Sequence, residues 1–242
     1  MTHDSPTCKL NQARLSLATA KNIPVLAKYA KDGFAIMAAV PSCALMFKQE
    51  IPLMFPDCAD TQLVKDAMWD PFEYFMARKR DGLLKTEFPQ KLGNVSYQIP
   101  CHGRVQNIGK KTEEMLKMIP DTEINTIERC SGHAGTYGVK TPTHPIAMKI
   151  GKPVFKAMAK DEPDYIGSDC PMAGHHIAQG MQQAGTPAKA LQIAQETARD
   201  FPDDLDAATL FAESAMNLHP WGLWMLDGTP REGTGEIVAT LE

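Results

Sequence analysis

The chain contains no apolar run near the roughly 20 residues that crossing a bilayer demands. Its first residues, MTHDSPTCKLNQARL, have no apolar core of the kind a secretory signal carries. Both absences lead us to expect a cytoplasmic protein, peripheral to a membrane only through a partner. No long Lys/Arg run appears, and the net charge is −4. Sequence-independent phosphate binding needs a basic face, so nucleic acid is excluded as a partner. No GxGxxG stretch and no P-loop lysine are present, and no flavin motif is visible. Any dehydrogenase chemistry would then belong to another chain. Ser131 has no G-x-S-x-G elbow around it, which argues against a hydrolase. The close Cys-x₂₋₄-Cys pairs of structural zinc sites are missing as well.

What the sequence does have is ordinary globular composition over 242 residues, 43% hydrophobic and 22% charged. That length suffices for one large domain or two small ones. Fourteen methionines are scattered over apolar faces and read as core filler. Six cysteines stand at 8, 43, 58, 101, 130 and 170. In a reducing compartment such cysteines bind metal, react, or sit inertly in cores.

A repeated order of strand, cysteine and helix places most of them. Ala35–Val40 reads as a short buried strand, followed by Pro41-Ser42-Cys43 and a helix from near Ala44. Val95–Ile99 alternates and leads into Pro100-Cys101. Thr122–Ile127 alternates and leads into Arg129-Cys130-Ser131-Gly132. Asp164–Gly167 leads into Ser168-Asp169-Cys170-Pro171. Cys8 and Cys58 lie in loop-like sequence. The spacing of Val105, Ile108, Thr112, Met115 and Ile119 predicts one helix that Pro120 terminates. A helix is expected over Thr61–Trp69, and Asp70-Pro71 reads as an N-cap with proline at the first helical position. His144–Lys160 reads as helical, broken in two by Gly151 and Pro153, with Ile146, Ile150, Val154 and Met158 on one face. Thr186-Pro187 caps a further helix, Leu205–Met216 suggests another, and Asp227–Glu242 reads as a loose terminus.

Strands alternating with helices predict an α/β fold, a mainly parallel sheet with helices on both faces. In such sheets ligands bind outside the carboxyl ends of the strands, where these cysteines fall. A helix starting after each cysteine turns its positive end toward a thiolate or an anionic cluster. Adjacent strands lie about 5 Å apart, so thiols at neighbouring strand ends can share one metal centre. Histidines accompany them: His102 beside Cys101, His133 three after Cys130, and His175 with His176 after Cys170. Gly132 and Gly135 read as residues that let the backbone approach a bulky inorganic group.

At Cys130-Ser-Gly-His-Ala-Gly-Thr-Tyr-Gly138 and Ser168-Asp-Cys-Pro-Met-Ala173, with Pro100-Cys101-His102 upstream, the chain resembles the cysteine-rich CCG family. This is the family of the heterodisulfide reductase B subunit. Its relatives include the C subunit of anaerobic glycerol-3-phosphate dehydrogenase and the iron–sulfur subunit of glycolate oxidase. The family repeat runs Cys, then Cys-Cys-Gly, then Cys-x-x-Cys, twice per protein. Cys101, Cys130-Ser131-Gly132 and Cys170-Pro-Met-Ala173 occupy those places in the second repeat, and Pro41–Pro52 resembles the close of the first. The resemblance implies two similar halves, the first incomplete: residues 1–94, then 95–185, then a helical extension over 186–242. It also implies an N-terminally shortened member.

The function implied is that of an iron–sulfur electron-transfer subunit of an oxidoreductase, without an organic-substrate site of its own. The expected cofactor is an iron–sulfur cluster of the 4Fe-4S type, held by Cys101, Cys130 and Cys170. Ser131 stands where the family has its second cysteine, and Ala173 where it has its last. A fourth ligand is then sought among His102, His133, His175 and Ser131, while Cys43 is left from the first repeat. The implied partner is a redox protein: a flavoprotein dehydrogenase, a ferredoxin or a rubrerythrin-like protein. Two alternatives remain, a structural Cys₃His zinc site and a cluster-free scaffold of a redox complex.

Overall fold

The computed structural model describes residues 14–88 and 91–190. Cys8, the helix suggested over 205–216 and the terminus over 227–242 lie outside the described residues. The fold is α/β, and among the described residues every strand pairing is parallel. Two compact units are distinguished, residues 14–85 with 102–111, and residues 86–101 with 112–190.

In the first unit, α1 (Arg14–Lys31) is followed by β1 (Ile36–Met37), shorter than the sequence predicts. Pro41, at a first-turn position, opens α2 (Pro41–Leu45), so Cys43 sits inside a helical first turn rather than before the helix. The chain continues through a π-helical stretch, Met46–Glu50, into α3 (Ile51–Met54). Pro52 has no N–H to give the carbonyl four residues back, and just before it the Ile51 N–H reaches Met46 O instead.

The expected helix to Trp69 ends early. Helix α4 (Ala59–Ala67) gives way to β2 (Met68–Trp69), which pairs with Ile36 and Met37. Met68 is extended (φ −85°, ψ 131°) and buried, joining Ile23, Ala27, Ile51 and Val64 in one apolar cluster. Pairing and burial together outweigh its helix propensity. Helix α5 (Pro71–Arg80) opens as expected, with Asp70 accepting from Phe72 N–H and Glu73 closing a capping box.

The single helix predicted through Val105–Ile119 is two: α6 (Cys101–Val105) and α7 (Lys111–Leu116). Asn107 (φ 56°) and Gly109 (φ 84°) adopt left-handed backbone between them, which no right-handed helix can carry through. Val105 is consequently exposed, whereas Thr112 and Met115 are buried.

The second unit holds β3 (Gly93–Gln98), β4 (Thr122–Ile127), β5 (Tyr165–Ser168) and β6 (Lys189–Ala190). Their order in the sheet is β4-β3-β5-β6, which puts β3 inside it with residues 95–98 all buried. Central parallel strands are covered on both faces. Helices α8 (His144–Met158) and α9 (Pro171–Gln183) supply Val154, Phe155, Met158, Ile177 and Met181 to a cluster with Ile166 of β5.

Helix α8 is continuous, against the predicted break. Pro153 is exposed, so the carbonyl it leaves without a donor can face water. The inward face is also shifted: Ala147, Gly151, Val154, Phe155 and Met158 are buried, while Ile146 and Ile150 are exposed. Space decides this. The loop after β4 lies directly on the helix backbone, and a side chain at Gly151 would strike Ser131 O (2.6 Å) and the Phe155 ring (2.3 Å). Only small residues can face that loop, so the isoleucines turn outward. Among the described residues no helix is long and apolar enough to cross a membrane.

Candidate metal centre

The register of the second sheet fixes where its cysteines fall. Gln98 of β3 stands opposite Ile127 of β4 and opposite Ser168 of β5. Cys101 and Cys130 each follow three residues beyond that level and Cys170 two beyond it. Three thiols from three hydrogen-bonded neighbouring strands thus emerge at one carboxyl edge. Cys101 and Cys130 are exposed and Cys170 is half-buried. Cys101 lies near enough to Cys170 for its charge to act on it.

Cys170 is the N-cap of α9, with Pro171 at the next position. Burial pushes its thiol pKa up. The backbone N–H groups of Ala173 and Met172, in the first turn of α9, pull the other way, and the charges of Asp169 and Cys101 raise it further. Deprotonating this thiol in place is therefore unfavourable until a cation compensates. Asp169 is held by the Tyr97 hydroxyl from β3 and by Thr112 Oγ1 of α7 at 3.0 Å. On the β4 side, the Gly132 N–H donates to Cys130 Sγ at 3.4 Å. Such bonds to sulfur tune thiolate-bound clusters.

Gly132 takes φ +86° and lies against α8, where a Cβ would meet Ala147 O and Gly151 N at 2.6 Å each. Its smallness is thus accounted for by the helix. Gly135 (φ +60°) has open space at the same position. Ser131 is buried, and its Oγ accepts from the His133 N–H at 3.4 Å.

The histidines separate into two kinds. His102 is exposed at the start of α6 and counts with the first unit, and His175 is exposed on α9. His133 is buried, its ring centroid 6.2 Å from that of His176. His176 in turn meets His144 at 6.1 Å and Phe155 at 5.5 Å. Burial lowers the pKa of both His133 and His176, and each lies beside another imidazole that lowers it further. His144 Nδ1 contacts Gly138 O at 2.6 Å, whereas His176 Nε2 is buried with no hydrogen-bond partner. Cys43 lies in the first unit, exposed in the first turn of α2.

Sequence reasoning passes over Gln98, Ser168 and His144, and of the pair His175–His176 it takes His175, the exposed member, as the candidate ligand. In the sequence Gln98 shares the polar side of an alternating strand with Ser96, so nothing there marks its amide as buried.

Among the described residues, no group of three or more His, Cys, Asp or Glu side chains could hold a single metal ion. Ligands to one tetrahedral zinc must converge within about 2.3 Å of one point. Ligands to different irons of one cluster need not, because the inorganic core spans the gap between them. Three thiols at one sheet edge, with backbone N–H donors beside two of them, match a thiolate-bound cluster in donor type.

Residues 95–178 match the family model described as a cysteine-rich domain, CCG. Over 139 residues the chain is 27% identical to the C subunit of the anaerobic glycerol-3-phosphate dehydrogenase of Escherichia coli strain K12, and equally to that of strain O157:H7. That match covers 57% of this chain and 34% of the relative. Over 104 residues the chain is 36% identical to an uncharacterized iron-sulfur protein of Methanocaldococcus jannaschii, covering 42% of this chain and 20% of the relative. The chain thus spans about a third or less of the length of these curated relatives. No solved structure matches it.

Proposed function

From the premise that residues 95–178 belong to the cysteine-rich CCG family, we propose that this chain binds an iron–sulfur cluster and transfers electrons as part of an oxidoreductase complex. The observation that carries this reading is the common register of Cys101, Cys130 and Cys170 at one edge of a parallel sheet. Similarity to an iron-sulfur protein and to one chain of a dehydrogenase supports it. The single-ion zinc alternative draws no support from the geometry of the described residues.

Cys101, Cys130 and Cys170 supply three thiolates to a cluster of the 4Fe-4S type. The fourth ligand comes from Ser131, His133, His102 or His175. The Gly132 N–H and the first turn of α9 stabilise the negative charge of the bound sulfurs. The cluster would supply one-electron chemistry at the exposed edge, with any organic substrate bound by another chain. Its partner is a redox protein of flavoprotein, ferredoxin or rubrerythrin-like type, in the cytoplasm. A strand followed by a helix with a proline and a cysteine at its start recurs at β1–α2, with Pro41 and Cys43, and at β3–α6, with Pro100 and Cys101. That recurrence supports a tandem of CCG-type halves, with Cys43 as the thiol remaining in the first.

The test is anaerobic purification or reconstitution with iron and sulfide, followed by metal, acid-labile sulfide and electron paramagnetic resonance measurements. Iron and sulfide should appear together in stoichiometric amounts, and Cys130→Ala should lose most of both. Reconstituted wild-type protein without iron and sulfide, or a Cys130→Ala variant loaded like wild type, would refute the assignment.

A further inference from the structure

We propose that Gln98 is the positioning residue for the three cysteines: its buried amide locks the ends of three strands together and so sets the spacing of Cys101, Cys130 and Cys170. This inference rests on the cluster-binding reading above for its purpose, but not for its geometry.

The parallel ladder pairs Gln98 with Ile127 and with Ser168, its last partners on β4 and β5. One further backbone bond, Ile99 N–H to Ile127 O at 3.0 Å, extends the β3–β4 side. Beyond that level the Gln98 side chain continues the connection. Its Nε2 donates to Ile99 O at 2.8 Å and to Arg129 O at 2.8 Å. Its Oε1 accepts from Ser168 Oγ at 2.8 Å. Ser168 Oγ in turn accepts from the Cys170 N–H at 3.4 Å. One amide therefore reaches the residue before Cys130, a residue two before Cys101, and, through one hydroxyl, the backbone of Cys170 itself.

Packing alone does not call for a glutamine here. Gln98 is 1% exposed, and a buried amide costs free energy unless every donor and acceptor is engaged. Ser96, two residues earlier on the same strand and equally buried, has an Oγ with no partner. The engaged amide occurs at the position next to the thiols. Hydrogen-bonded networks of this kind are rigid when fully satisfied, and residues that orient a metal's ligands typically alter metal affinity about 10- to 100-fold when mutated.

The experiment uses the full chain with Gln98→Met, which keeps the approximate volume and removes all three hydrogen bonds, and Ser168→Ala, which removes only the β5 arm. Val95→Ala is the control, a core truncation on β3 that leaves the amide network untouched. Two sets of readouts are taken besides the unfolding midpoint. On the reconstituted protein they are the paramagnetic g-values, the midpoint potential and the rate of iron release to a chelator. On the metal-free protein it is the yield of Cys101–Cys130 and Cys130–Cys170 crosslinks with a short bifunctional thiol reagent, mapped by mass spectrometry.

Gln98→Met is expected to release iron about 10- to 100-fold faster, with altered g-values and potential, and to change the crosslink yields severalfold. Ser168→Ala should move Cys130–Cys170 crosslinking and iron release in the same direction but less. Val95→Ala should lose stability with wild-type spectra, potential and crosslinks. Should Gln98→Met not fold, Ser168→Ala alone decides by the same readouts. Wild-type g-values, release rate and crosslink yields in the variants would overturn the positioning role. A wild-type chain that takes up no cluster, while its crosslinks still depend on Gln98, would instead sink the cluster reading and leave the positioning role standing.

Discussion

Replacing Gly132 by alanine places a Cβ 2.6 Å from Ala147 O, 2.6 Å from Gly151 N and 2.9 Å from Gly151 Cα, on backbone with φ +86°. All three obstacles are backbone atoms of α8, which cannot swing aside as a side chain would. The left-handed conformation costs an L-residue about 1–2 kcal/mol, and overpacking a tight contact adds roughly 1–3 kcal/mol. The expected loss is then about 2–5 kcal/mol. For a chain of this size that corresponds to a melting midpoint lowered by roughly 4–20 °C. Gly135 is the matched comparison, because it too has positive φ (+60°) but nothing within 4 Å of the added Cβ. Gly135→Ala should cost only the conformational part, about 1–2 kcal/mol. Thermal and urea unfolding of both variants beside wild type measures the difference. Because Gly132 also donates its N–H to Cys130 Sγ, the Gly132 variant should load less iron and sulfide. If Gly135→Ala proves as destabilising as Gly132→Ala, or if neither changes stability, the backbone contact between loop and helix is not what requires glycine.

Two other outcomes follow from the geometry. Asp70→Ala removes the cap on Phe72 N–H at 3.0 Å and should cost about 0.5–2 kcal/mol by urea unfolding, while Asp70→Ser, another capping residue, should restore much of it; equal stability of wild type and Asp70→Ala would count against the capping box. The pKa values of His133 and His176 lie below the ordinary 6.5 in the folded chain, chiefly through burial. Well above pH 6.5 neither the folded nor the unfolded imidazoles are charged, and their contribution is fully present. As pH falls below 6.5 the unfolded chain binds protons that the folded chain refuses, so stability declines toward the folded pKa values. The urea midpoint should therefore drop between about pH 7.5 and 5.5, and less steeply in His176→Phe; an unchanged slope in that variant would contradict it.

The candidate site is legible in the sequence to the extent that it depends on order along the chain. Thr122–Ile127 has the same bounds in sequence and structure because it alternates cleanly, and the cysteines after β3, β4 and β5 are placed by the residues that stop each strand. What periodicity does not reveal is close approach. Ile146 and Ile150 share a helical stripe with Val154 and are more hydrophobic than Ala147 and Gly151, yet the smaller pair faces inward because a loop backbone lies there. The same kind of blindness hides Gln98. Its partners Arg129 O and Ser168 Oγ are 31 and 70 residues away, and only the sheet brings them together. Met68 and Trp69 read as the end of a helix because their pairing with Ile36 and Met37 is likewise a property of the folded chain.

The proposed sharing of one cluster by thiols from three separate strands has a bearing on how such a protein is made. Short chelating motifs can seize iron while still emerging from the ribosome, since two sulfurs a few residues apart form a small ring at little entropic expense. Here the intervening polypeptide between any two of Cys101, Cys130 and Cys170 contains at least one strand and one helix. A nascent chain therefore offers scattered single thiols with no chelate effect, and a ligand-competent edge exists only once β3, β4 and β5 have docked. Cofactor delivery would have to wait for a finished domain, and a delivery factor would meet a folded surface rather than an open peptide.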